Sequence, residues 1–168
     1  MLIIIVMNAK NAVLFIAHKV SERILENYNK ISSQLSGELY DVVWIAACDN
    51  FDRQKLTTTF NARNYTSIDF DSLGYRSIVY TLTPGSTHYP IFRFFLDNPQ
   101  YLHYWFIEYD VVFAGKWNTL MNDCDENLDD YDFLSCHIEK YGEENKEWPW
   151  WHNCNNCGYA LDKYASSG

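Results

Sequence analysis

The chain contains no G-x-G-x-x-G run, so a dinucleotide cofactor held by a glycine-rich fingerprint is not indicated. It has no second C-x-x-C to complete the ligand-like Cys154-Asn-Asn-Cys157, whereas a structural zinc site needs four ligands. Nor does it hold an uninterrupted apolar stretch of about 18–20 residues, the length a membrane helix requires. Its apolar amino terminus, MLIIIVMNAKNAVLFIA, is broken by Asn8, Lys10 and Asn11 and lacks the basic start of a secretory signal. No transmembrane span is expected within this chain, although an anchor removed from upstream stays open as an alternative. Internal repeats, low-complexity tracts and long linkers are also missing.

Basic charge is scarce: 13 Lys and Arg face 22 Asp and Glu, for a net charge of −9. The imbalance is local. Between Glu108 and Glu147 there are twelve acids and three lysines, and the rest of the chain holds ten of each sign. Such a field repels phosphate backbones, so no nucleic-acid partner is expected. Within this segment Asp123 to Asp130, DCDENLDD, reads as a solvated acidic loop. The five cysteines form no dense framework, and reduced thiols in a cytoplasmic protein are the simplest expectation. His152, Cys154 and Cys157 leave three readings open: a zinc-stabilised module, a redox pair and unliganded thiols.

What the chain has in plenty is aromatic and aliphatic side chains, with 17% aromatic and 48% hydrophobic residues over 168 positions. That argues for one folded domain able to bury a core, and against disorder. Ala12 to Ala17 is a short apolar strand, followed directly by His18 and Lys19. Ser21 is placed to cap a helix, and Glu22 complements its dipole. Ile24, Leu25, Tyr28, Ile31 and Leu35 recur at helical spacing until Gly37 ends the run. Tyr40 to Cys48, YDVVWIAAC, is a second strand ending at Asp49. Strand, amphipathic helix and strand in this order predict a parallel βαβ unit. Short strands are expected over Tyr65 to Ile68 and Ser77 to Leu82. After the Pro84-Gly85 turn a helix starts near Ser86 or Thr87, tolerates Pro90 in its first turn and ends at Asn98-Pro99.

The run Tyr101 to Trp117, YLHYWFIEYDVVFAGKW, follows that helix. Its first seven residues are apolar or aromatic on both sides of an extended strand, which predicts a strand buried on both faces within a parallel sheet. Ligands in such sheets bind outside the carboxyl ends of the strands, and this end reads Glu108-Tyr109-Asp110. Side chains alternate along a strand, so both carboxylates share one side if the extended conformation persists. Paired oxygen ligands suit Mg²⁺ or Mn²⁺ completed by waters and a diphosphate. Beyond it, Lys116 to Met121 reads as a short helix and Tyr131 to Ile138 as a further strand. Asp132, an acid in an apolar neighbourhood, is a candidate general base. Trp148 to Trp151 is an aromatic group suited to core packing or to stacking on a sugar.

The buried strand ending in acid-x-Asp resembles the signature of nucleotide-sugar-dependent glycosyltransferases of the GT-A fold. The run Trp105 to Trp117 is similar to one branch of them that carries the phrase W-x-I-E-Y-D-V-x-F-x-G-x-W. The resemblance implies an α/β domain with a Rossmann-like, mainly parallel sheet flanked by helices, corresponding to the nucleotide-binding half of such an enzyme. It implies that Asp110 meets a divalent metal and the donor diphosphate, with Glu108 near the ribose or the metal and Tyr109 between them. It also implies base or ribose contacts from the loops holding His18 and Asp49, for which helix capping and turn formation are the competing roles. The expected activity is metal-dependent transfer of a glycosyl group from a nucleoside diphosphate sugar to a hydroxyl acceptor. Enzymes of this type usually run longer, so a chain lacking a carboxyl-terminal acceptor-binding part is an expectation. The alternative is a catalytically silent domain of the same fold that recognises a glycan or a protein.

Overall fold

The computed structural model describes residues 10–47, 61–66, 73, 87–127, 131, 133–135, 138–140, 142–144, 146–147 and 164–166. The chain divides into two compact units, Met1–Asn122 and Asp123–Gly168. The first holds a four-stranded, all-parallel sheet in the order β3-β2-β1-β4, built from β1 (Asn11–Ala17), β2 (Tyr40–Ala47), β3 (Ala62–Tyr65) and β4 (Tyr104–Glu108). Helix α1 (Glu22–Leu35) joins β1 to β2, α2 (His88–Asp97) precedes β4, and α3 (Trp117–Asn127) follows it. This is a small Rossmann-like α/β arrangement. Among its described residues the second unit holds an antiparallel pair, β5 (Ile138–Lys140) with β6 (Tyr164–Ser166).

Side-chain alternation along β1 and β2 produces two cores. Val13, Phe15, Ala17, Val42, Trp44 and Ala46 face one layer, where they meet Ile24, Tyr28, Ile31 and Leu35 of α1 and Trp117 and Met121 of α3. Ala12, Leu14, Ile16, Val43 and Ile45 face the other, against Tyr65 and the α2 residues Tyr89 and Phe94. Every residue of β1 is buried, as a strand covered on both faces requires. Full burial of each large apolar side chain contributes roughly 1.5–3 kcal/mol relative to exposure. The first layer is tied together by rings: Phe15 lies 5.5 Å from Tyr28 and 5.2 Å from Trp44, centroid to centroid, and Tyr28 lies 5.2 Å from Trp44.

The helix boundaries follow local chemistry. Ser21 takes extended backbone angles, and its side chain accepts the Ile24 N–H at 3.4 Å, relieving one of the unpaired amides of the first turn. Pro90 falls in the first turn of α2, where its missing N–H removes no helical bond.

Three expectations are corrected. Among the described residues β4 stands at the edge of the sheet and not inside it, pairing with β1 alone, and its faces are unequal, with Ile107 buried and Phe106 39% exposed. Residues 101–103 extend the ladder only through single bonds, Leu102 N–H to Lys10 O and Ala12 N–H to His103 O, and Leu102 points to solvent. The doubly buried strand is β1. Second, the acidic run is not a loop at its start, because α3 continues to Asn127. Trp117 and Met121, four residues apart, anchor the helix, and Asn127 Nδ2 donates to Asp123 O at 2.9 Å and Asp123 Oδ1 at 3.0 Å. Third, residue 131 and residues 133–135 are not strand, and Tyr131, Phe133 and Leu134 are exposed. Ladder pairing starts at Ile138, opposite Ser166. Among the described residues, no helix is long and apolar enough to cross a membrane.

Candidate functional site

In the order β3-β2-β1-β4 the chain moves outward from β1 through β2 to β3, then returns to the opposite side of β1 as β4. The reversal makes the carboxyl ends of β1 and β4 the topological switch point, the crevice position at which open α/β sheets bind ligands. The register sets Ile16 beside Glu108, and Tyr109 N–H donates to Ile16 O at 2.9 Å. His18 and Lys19 leave β1 here, and Glu108, Tyr109 and Asp110 leave β4 here. The sequence thus brings both of its described candidate loops to one place.

The extended conformation does not persist past Glu108. Tyr109 and Asp110 form a turn closed by Val111 N–H donating to Glu108 O at 3.0 Å. The carboxylates are therefore neighbours through the turn and not through strand alternation. Burial raises the Glu108 carboxyl above its ordinary value, and the charge of Asp110 adds to the rise, while a hydrogen bond with the Thr87 side chain opposes it. Thr87 stands immediately before α2, so the helix on the other face of the sheet also reaches the site. Across the crevice the His18 ring meets the Tyr109 ring edge-on at 4.9 Å. Burial and the charge of Lys19 lower the His18 pKa, and Asp110 pulls the other way. The net shift favours the neutral imidazole, and its buried Nδ1 has no hydrogen-bond partner among the described residues. The Lys19 ammonium lies 5.1 Å from the centre of the Tyr109 ring, a cation–π distance.

No family model matches the chain, and no curated protein or solved structure matches it. The chemistry of the site must be read from its own side chains. Glu108 and Asp110 offer oxygen donors of the kind Mg²⁺ and Mn²⁺ take, with the exposed Asp110 free to accept a hydrated ion. Among the described residues no group of three or more His, Cys, Asp or Glu is assembled to hold a metal. Two carboxylates fit an ion that keeps waters and takes phosphate oxygens, and do not form a closed protein cage.

The other candidates separate from the crevice. Asp49, Asp132, Cys48, Cys136, Cys154, Cys157 and Trp148 to Trp151 lie outside the described residues. On α2, Arg93 is engaged by Asp97 through Nη2 to Oδ1 at 2.8 Å and Nε to Oδ2 at 3.1 Å, which leaves it no part in the site. Helix capping is done by Ser21, not His18. Cys124 is a free thiol, pushed up by burial and by Asp123 and Asp125. A shallow polar groove of about 370 Å³, lined in part by Ser32, Ser36, Asp41 and Asn61, opens near the amino end of β2, the wrong end of the sheet for a switch-point ligand.

Sequence reasoning missed Thr87 as a partner of Glu108 and missed three polar residues of α1. Asn27 Nδ2 donates to Val111 O at 2.9 Å and to Tyr109 O at 3.4 Å. Lys30 Nζ donates to Phe113 O at 2.6 Å, and Gln34 Oε1 accepts the Trp117 N–H at 2.7 Å. Their signal was present as a polar i, i+3, i+7 stripe flanking the apolar positions of α1.

Proposed function

We propose that the chain carries the nucleotide-binding part of a GT-A-like glycosyltransferase, using Mn²⁺ or Mg²⁺ and a nucleoside diphosphate sugar, with a hydroxyl acceptor. The observation that carries this reading is the meeting of Glu108, Tyr109 and Asp110 with His18 and Lys19 at the switch point of a parallel sheet. Support comes from the chemistry available there. Asp110 and Glu108 would hold the cation, which would supply positive charge to offset that of the departing diphosphate. Lys19 adds a positive charge on the β1 side. His18 stands on the same side, its ring edge-on to Tyr109.

A turnover assay tests the reading. The chain is incubated with Mn²⁺ and a panel of nucleoside diphosphate sugars, and release of the nucleoside diphosphate is followed with and without simple glycoside acceptors. Metal-dependent release from one donor, lost in Asp110→Asn, is expected. Binding of a nucleoside diphosphate without release would assign the fold to a recognition domain. Neither binding nor release with any donor and either metal would overturn the proposal.

A further inference from the structure

The backbone around Asp110 is irregular, and irregular backbone near a core must find partners for its N–H and C=O groups. Those partners come from two sources. Tyr109 N–H is taken by Ile16 O of β1, and Val111 N–H closes the turn onto Glu108 O. The carbonyls on either side of Asp110, those of Tyr109 and Val111, both accept from the single carboxamide of Asn27. Two residues further on, Lys30 holds the Phe113 carbonyl, and Gln34 takes the first amide of α3 at Trp117. The spacing of 27, 30 and 34 keeps all three on one flank of α1, beside the Ile24, Tyr28, Ile31 and Leu35 face that anchors the helix to the sheet. A rigid, packed helix thus acts as a template for the whole crossing from β4 to α3.

We infer that Asn27, assisted by Lys30 and Gln34, is a positioning residue for Asp110: it fixes the 109–117 segment so that the carboxylate stands in the crevice before any ligand arrives. This rests on the metal-binding reading above and adds to it the groups that hold its principal ligand. Hydrogen bonds behind a metal ligand set its orientation, and their removal typically weakens metal binding by about 10–100-fold.

The test uses the full chain with Mn²⁺ alone as probe. Asn27→Ala and Lys30→Met remove the donors, and Lys30→Arg keeps one. Alanine is the better helix former at position 27, so α1 is expected to persist. Two readouts are taken: Mn²⁺ affinity from the signal of the free aqua ion in electron paramagnetic resonance, and hydrogen exchange of peptides spanning 105–117 and 11–35. Exchange in 105–117 should quicken in Asn27→Ala and Lys30→Met with 11–35 unchanged, and Mn²⁺ binding should weaken by about tenfold or more. Lys30→Arg should behave as the parent. Unchanged exchange in 105–117 overturns the inference, as does quickened exchange with parental Mn²⁺ affinity, which would make the stripe structural only. A parent chain without Mn²⁺ affinity refutes the metal reading instead, and the exchange comparison then decides by itself whether the stripe fixes the segment.

Discussion

Truncating Phe15 to alanine is the sharpest probe of the layer that supports the crevice. Phe15 is fully buried, packs edge-on against Tyr28 and Trp44, and stands beside Ile107 in the β1–β4 register, one residue before the Ile16–Glu108 pair. Its removal takes apolar area from water-free contact and leaves a cavity between β1, β2 and α1, for which Phe→Ala changes cost about 3–5 kcal/mol. Domains have only about 5–15 kcal/mol in total, so the variant sits near the edge of stability. At about 2–4 °C per kcal/mol for a chain of this size, the melting temperature should fall by roughly 6–20 °C. A double-mutant cycle with Tyr28→Leu should return a coupling of about 0.5–1.5 kcal/mol, the worth of one ring pair. Leu96→Ala, at a side chain 49% exposed, is the control and should change stability by no more than about 0.5 kcal/mol. The measurement is thermal unfolding by circular dichroism. A Phe15→Ala shift no larger than that of the control would refute the placement of β1 at the centre of the two cores.

Other outcomes follow from single groups. Burial, reinforced by the hydrogen bond to Asp41, holds the Tyr101 phenol up to about 12, and burial with Asp97 does the same for Tyr65. Their folded pKa values exceed the unfolded ones, so their contribution is complete below the ordinary tyrosine pKa and is lost as pH rises through about 12; ultraviolet titration should show late-ionising phenols, and Tyr101→Phe should remove one of them. A side chain at Gly115 would meet the Phe113 ring at 2.6 Å, and that ring packs 5.2 Å from Trp117. Gly115→Ala should therefore displace Phe113 and alter Trp117 fluorescence, and an unchanged emission spectrum would contradict the packing. Ser21→Ala should cost about 0.5–1 kcal/mol in urea unfolding, at the low end for a cap because its hydrogen bond is long at 3.4 Å.

The frame of the fold was legible because it rests on periodicity. Ile24, Tyr28, Ile31 and Leu35 mark one helical face, and residues 12–17 of β1 and 42–47 of β2 read as unbroken apolar runs. The position of β4 was not, since an apolar strand at a sheet edge has the same composition as one inside, and only pairing distinguishes them. The same limit applied to residue 131 and residues 133–135, where hydrophobicity by itself produced no strand. Glu108, Tyr109, Asp110 and His18 were found as strand-end residues, yet their meeting depends on the return of β4 to the far side of β1. No local pattern encodes that return. Asn27, Lys30 and Gln34 stayed hidden for a related reason: polar residues on a helix flank read as solvated until the segment they hold is seen.

The central claim is that Asp110 and Glu108 bind a divalent metal together with a nucleoside diphosphate at the switch point. Its most direct test is the metal-dependent melting shift of the chain across a panel of nucleoside diphosphates. At a ligand concentration of about 100 times Kd the native state gains about 2.7 kcal/mol, which for this size is a rise of roughly 5–10 °C. The rise should require Mn²⁺ or Mg²⁺, because a diphosphate meets repulsion from two bare carboxylates, and Asp110→Asn should abolish it while the unliganded protein stays folded. No shift with any diphosphate and either metal, or an equal shift in Asp110→Asn, would contradict the account.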